Sequence, residues 1–134
     1  QDGDIAGVIH TTEKATGIDM YMGIGGAPEG VLAAAALRCI GGQMQTKLVL
    51  EDQEKKDRAA RLGITDVDKI YNLDDMVTGD ALFAATGVTN GSILSGIEIN
   101  SGIWTHTIVM RSSSKTIRWI TAHHQNIDKF NSQN

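Results

Sequence analysis

With 134 residues, 41% of them hydrophobic, and a formal net charge of -4, the chain suits one globular domain with a sizeable core and is not a disordered polyelectrolyte. No cluster of Lys and Arg answers to a phosphate backbone, and no apolar run approaches the roughly 20 residues that cross a bilayer, so neither nucleic acid nor membrane is an expected partner and the setting is read as cytoplasmic. Cys39 is the single cysteine, which excludes an internal disulfide and a thiolate cluster. Among Ala36, Leu37 and Ile40 it reads as a small buried hydrophobe.

In chain order, Asp2-Gly3-Asp4 forms a turn and Ile5 to His10 a short helix, with Ile5, Val8 and Ile9 on one face and Asp4 as its cap. Ile18 to Gly23 has the apolar character of a buried strand. Its glycine-rich exit leads into a helix from Pro28 to about Ile40, whose alanine run permits close packing against a sheet. Met44 to Leu50 alternates as a strand. Glu51 to Leu62 is a charge-dense surface helix, supported by Glu54 and Arg58 at i,i+4 and ended by Gly63. Thr65 to Val77 is irregular, with a helical turn at Asp74 to Val77. Ala81 to Ala85, Ile93 to Ile99, Thr105 to Arg111 and Thr116 to Ile120 are strand-like, and Ser112 to Lys115 turns between the last two. Strands alternating with helices, then a β-rich end, indicate an α/β layer with helices on both faces of a mixed sheet. The polar tail runs from Gln125 to Asn134. A turn such as Asp2-Gly3-Asp4 closes a strand, yet only Gln1 precedes it, so the chain is expected to begin inside a longer fold.

The segment Gly23-Ile24-Gly25-Gly26-Ala27-Pro28-Glu29-Gly30 carries the most chemistry. A helix start offers unpaired N–H groups and the positive end of the dipole to an anion. Glu29 in the first turn suits that dipole but repels phosphate unless a divalent cation lies between, which reads as a metal-assisted phosphate site. The segment does not fit the dinucleotide pattern, because Pro28 replaces the third glycine, and it lacks a P-loop lysine. The alternative is a tight turn with Pro and Glu as ordinary helix starters. Asp2 and Asp4 suit sugar hydroxyls or a cation equally well as a turn and a cap. Arg111, Lys115 and Arg118 read as a solvated face, and His10, His106, His123 and His124 lack zinc-ligand spacing.

Taken together, QDGDIAGVI, GIDMYMGIGGAPEGVLAAAALRCIGGQMQ, ATGVTNGSILSGI and TIVMRSSSKTIRWI closely resemble, in order, the C-terminal half of bacterial class II fructose-1,6-bisphosphatase. The resemblance implies a three-layer α/β/α arrangement with a mixed sheet, the C-terminal half of an inositol monophosphatase-like sugar-phosphatase fold. Residues 1–124 would be that domain and 125–134 a tail. It implies hydrolysis of the 1-phosphate of fructose 1,6-bisphosphate to fructose 6-phosphate, a step of gluconeogenesis, with Mg²⁺ or Mn²⁺. By the same resemblance Asp2, Gly3, Asp4 and Gly26 contact substrate and Glu29 binds metal, while the other metal carboxylates belong to an N-terminal half. No residue of this half is then catalytic in itself, and the isolated chain is expected to be inactive. A homo-oligomer is implied as well. The alternative is a non-catalytic fragment or interaction module that needs an N-terminal partner half.

Overall fold

The computed structural model describes residues 4–126 and 128–130. Helix α1 spans Asp4–His10, and Val8 and Ile9 are its buried residues. It stops where Thr11 and Thr12 turn their hydroxyls back onto the carbonyls of Val8 and Ile9, at 2.7 Å each. Such bonds compete with further helical turns.

Helix α2 spans Ala27–Ile40, entered through Gly26 and Pro28, and it ends at Gly41, whose φ of 93 closes the last turn. The N–H groups of Gly41 and Gly42 both donate to the Leu37 carbonyl, which satisfies a carbonyl that the helix end would orphan. Ala33, Ala34, Ala36, Leu37 and Cys39 are buried. Small alanine side chains let α2 lie close to its neighbours, as the sequence suggests.

Strand β1, Gln45–Lys47, pairs antiparallel with β2, Ile70–Asn72, with Thr46 opposite Tyr71. Between them α3 spans Gln53–Arg61, capped by Asp52, whose carboxylate accepts from the Lys55 N–H. The ion pairs that dress this helix start run from Lys55 to Glu51 and Asp52, rather than from Glu54 to Arg58. Helix α4, Leu73–Met76, follows β2 directly.

The larger sheet is built on β5, Ile103–Arg111. One edge of β5 carries β3, Leu82–Thr86, and β4, Glu98–Ile99; the other carries β6, Thr116–His124, along its whole length. Phe83 sits opposite Met110 and Ala85 opposite Ile108, so all four share a face. That face meets the helices: Ile9, Ala36, Cys39, Phe83, Ile108 and Met110 form one buried cluster, and Val8, Ala33 and Leu37 form a second beside it. Each fully buried large side chain of this kind contributes about 1.5–3 kcal/mol.

The α/β class is the one that the sequence indicates. Every strand pairing among the described residues is antiparallel, so the parallel component of the expected mixed sheet is not formed here. A parallel neighbour requires a crossover from a paired strand through a helix, and the extended stretch that enters α2 is itself unpaired. Residues 18–23, expected as a buried strand, lie outside any ladder, with Met20 and Met22 at 72% and 80% exposure. Two other strands are shorter than expected. Residues 44–50 contribute only β1, and 93–99 only β4, because the Asn90 side chain and Thr89 backbone close a loop against Gly96. The hairpin strands are longer than expected, reaching Ile103 and His124.

Candidate functional site at the start of α2

Glu29 is the third residue of α2, and its Oε2 accepts a hydrogen bond of 2.7 Å from the Gly26 N–H. This is half of a capping box: the carboxylate reaches back over one turn to satisfy the N–H of the residue before the helix. The local sequence dictates it. Pro28 has no N–H to satisfy, and an acidic group in the first turn is favoured by the helix dipole.

Gly26 and Glu29 are therefore together, and both are exposed. The Gly26 N–H, expected to meet a ligand, is donated to Glu29. One carboxylate oxygen is thus engaged. Asp2 and Gly3 lie outside the described residues, and of Asp4 only its place as the first residue of α1 is described.

Among the described residues, no group of three or more His, Cys, Asp or Glu side chains is placed to hold a metal ion. A single glutamate is too few for Mg²⁺, which takes octahedral oxygen coordination from one or two carboxylates together with phosphate and water. The described residues therefore do not make a metal site by themselves.

A cavity of about 470 Å³ lies at the opposite end of α2, lined in part by Arg38, Asp74, Asp80, Ser112 and Lys115. Its charges are matched internally. Arg38 donates to Asp74 at 2.6 Å and to the Gly79 carbonyl at 2.8 Å. Lys115 donates to the Arg38 carbonyl at 2.8 Å, where a cation suits the negative helix end. Asp80 accepts from Arg111, from the Ser112 hydroxyl, and from both the N–H and the hydroxyl of Ser113. The Arg111 guanidinium, then the Ser112 hydroxyl, hold the Asp80 carboxyl well below the usual carboxylate range.

Paired in this way, the basic residues of the 111–115 turn serve as a clasp between the hairpin and α2. Sequence reasoning missed Asp80 as its centre. The available signal was a lone aspartate just before a strand whose hairpin partner ends in arginine followed by serines.

Cys39 is 1% exposed, its Sγ 3.4 Å from the Ala81 carbonyl, and burial pushes its thiol up. It packs as the sequence suggests. His10 ends α1, and the other three histidines are spread along the hairpin: His123 stacks on Trp104 at 4.0 Å, His124 meets Thr105, and His106 lies between Thr121 and Glu98.

Comparison with known proteins adds what geometry alone does not. A family model described as bacterial fructose-1,6-bisphosphatase, glpX-encoded, matches residues 1–124. The fructose-1,6-bisphosphatase class 2 of Haemophilus influenzae is 41% identical over 138 residues, covering 92% of this chain and 41% of that relative. The D-fructose 1,6-bisphosphatase class 2/sedoheptulose 1,7-bisphosphatase of Synechococcus sp. (strain JA-3-3Ab) is 36% identical over 137 residues, covering 92% of this chain and 40% of that relative. The chain spans about 40% of the length of the curated relatives it matches.

Proposed function

The chain belongs to the bacterial, glpX-encoded fructose-1,6-bisphosphatase family, and on that premise we propose that it contributes part of the substrate and metal site of a sugar bisphosphatase. The reaction is hydrolysis of the 1-phosphate ester of fructose 1,6-bisphosphate. Water adds its oxygen to phosphorus, the bond from phosphorus to the C1 oxygen breaks, and that oxygen leaves protonated as fructose 6-phosphate. The setting is cytoplasmic.

The roles follow the chemistry of each group. Asp2 and Asp4 accept hydrogen bonds from sugar hydroxyls, with Gly3 allowing close approach. Glu29 would give one oxygen to Mg²⁺ or Mn²⁺, with the remaining ligands supplied from beyond the described residues; a divalent cation held there would neutralise charge on the phosphoryl oxygens. When Glu29 takes that role, the Gly26 N–H is released toward the ligand. The observation that carries this reading is the family match over residues 1–124, with Glu29 and Gly26 in contact at the start of α2, the longest helix among the described residues.

Glu29→Gln in a full-length family chain tests it. Glutamine keeps the bond to the Gly26 N–H but not the charge. Loss of a direct ligand should lower turnover or raise the metal requirement by about 10-fold or more, the lower bound for supporting residues of metal sites. Unchanged metal-dependent kinetics would remove Glu29 from the site. The chain by itself, assayed for phosphate release with Mn²⁺, should release none above background.

A second reading, an interaction module that acts only beside a partner half, is favoured by the exposed apolar stretch at residues 18–24.

A further inference from the structure

Strand β5 carries a titratable side chain that the proposed function leaves unused. His106 lies opposite Thr121 of β6, with its Nδ1 3.3 Å from the Thr121 hydroxyl. Its Nε2 is shut off from water and has no hydrogen-bond partner, yet it lies 3.4 Å from a carboxylate oxygen of Glu98. The register explains the approach. Glu98 pairs with Trp104, so Glu98 and His106 are diagonal neighbours on one face of the sheet, a separation that long side chains span.

A neutral imidazole offers one N–H and one lone pair. Where Nδ1 donates to Thr121, the Nε2 lone pair faces the carboxylate; where the proton sits on Nε2, it lies beside Glu98 but outside hydrogen-bond geometry. An imidazolium donates from both nitrogens and answers Thr121 and Glu98 at once. A histidine ordinarily takes up that proton near pH 6.5.

The chain that this contact would hold is weakly anchored. β4 has two residues, and two pairs join it to β5. Upstream, residues 87–97 close on themselves: Ile97 donates to the Val88 carbonyl, Gly91 to the Leu94 carbonyl, and Gly96 to the Asn90 side chain. A Cβ on Gly87 would overlap the Ser95 carbonyl. The exit of this loop returns to the sheet at β4. Downstream, Asn100 donates to the Gly102 carbonyl within the turn, and His123 Nε2 donates to the Ser101 carbonyl at 3.1 Å.

We propose that His106 and Glu98 form a pH-operated latch, in which protonation of His106 ties β4 and the exit of the 87–97 loop to β5. Glu98 makes the one ion pair of His106 among the described residues. On β6 the same-face neighbours of Thr121 are Trp119 and His123, and His123 is occupied by Ser101 and by stacking on Trp104. β3 presents Phe83 and Ala85 to this face. Of the helices packed over it, α1 carries Asp4 and His10 at its two ends, and α2 carries Glu29, Arg38 and Cys39. Glu29 is engaged by Gly26 and Arg38 by Asp74, and burial pushes the Cys39 thiol toward its neutral form. The latch does not depend on Glu29 binding metal.

Amide hydrogen exchange at two pH values decides it without an activity assay. Each rate is divided by its intrinsic rate at the same pH. Protection at Ile97 and Asn100, the bonded amides on either side of Glu98, should then rise about 2- to 5-fold from pH 8 to pH 5.5, the range of an exposed ion pair. Equal protection at both pH values would overturn the proposal. So would a rise of the same size at the centre of the β5–β6 hairpin, because the effect would then be global.

Glu98→Gln should abolish the rise, and its side chain is 60% exposed, so the variant keeps the fold. His106→Gln should abolish it too, whereas His123→Gln should leave it in place. A rise that survives Glu98→Gln, or one that disappears with His123→Gln, would overturn the assignment. Should His106→Gln not fold, the comparison of wild type with Glu98→Gln stands by itself.

Discussion

At its C-terminal half α2 has a closed face: Ala36, Leu37 and Cys39 are no more than 2% exposed, packed against α1, β3 and β5. Its first two turns, with Gly26, Glu29, Val31 and Leu32, face solvent. One helix thus has a structural end and an open end, made from the same small and apolar residues. The structural end is finished within this chain, by Gly41, the Lys115 cap and the Asp80 clasp. The open end is capped by its own Glu29, and it is the end at which the proposed function places chemistry.

The largest test of this contrast is Leu37→Ala, which should cost about 2–5 kcal/mol in urea unfolding. A much smaller loss would mean that the closed end is less tightly packed than its burial indicates. Gly42→Ala comes next: the added methyl would lie 2.5 Å from Leu37 Cδ2, and overpacking of that kind costs about 1–3 kcal/mol.

The clasp is read through pH. Arg111 and the two serines depress the folded Asp80 carboxyl. Its stabilisation is therefore complete above the unfolded-state value of about 3.9 and is lost as pH falls through the lower folded value. Wild type should exceed Asp80→Asn in stability near neutral pH, and the gap should narrow below about pH 4. A gap that stays constant across the acid range would show that the ionised pair contributes nothing. The smallest effect belongs to the open end. Glu29→Gln in this chain should shift stability by less than about 0.5 kcal/mol, since the side chain is exposed and glutamine keeps the cap. A larger loss would make Glu29 a structural residue first.

What was legible in the sequence were the elements whose signals are local. The helix expected over 28–40 matches α2 within a residue, the one expected over 51–62 encloses α3, and Ser112 to Lys115 turns a hairpin that pairs with itself. Residues 18–23 were misread as buried because period-two alternation states which side a strand will bury, not what will cover it. The strand expected over 93–99 was shortened by a loop contact between Gly96 and Thr89 that no propensity records. At the site, Pro28 and Glu29 marked the helix start correctly. The capping bond and the metal role, though, demand the same residue types at the same spacing, and sequence alone leaves both open. Asp80 was harder to place, since its partners are 31 to 33 residues away and only the pairing of β3 with β5 brings them together.

The bond from Lys115 to the Arg38 carbonyl joins residues 77 positions apart, whereas the hairpin that carries Lys115 pairs neighbours across a four-residue turn. In kinetic terms the hairpin can form early, because short loops close at little entropic cost, and seating α2 against it must wait for a long loop to close. The lysine tether is then a late-forming contact, and its removal should be felt in how fast the folded chain opens far more than in how fast it assembles.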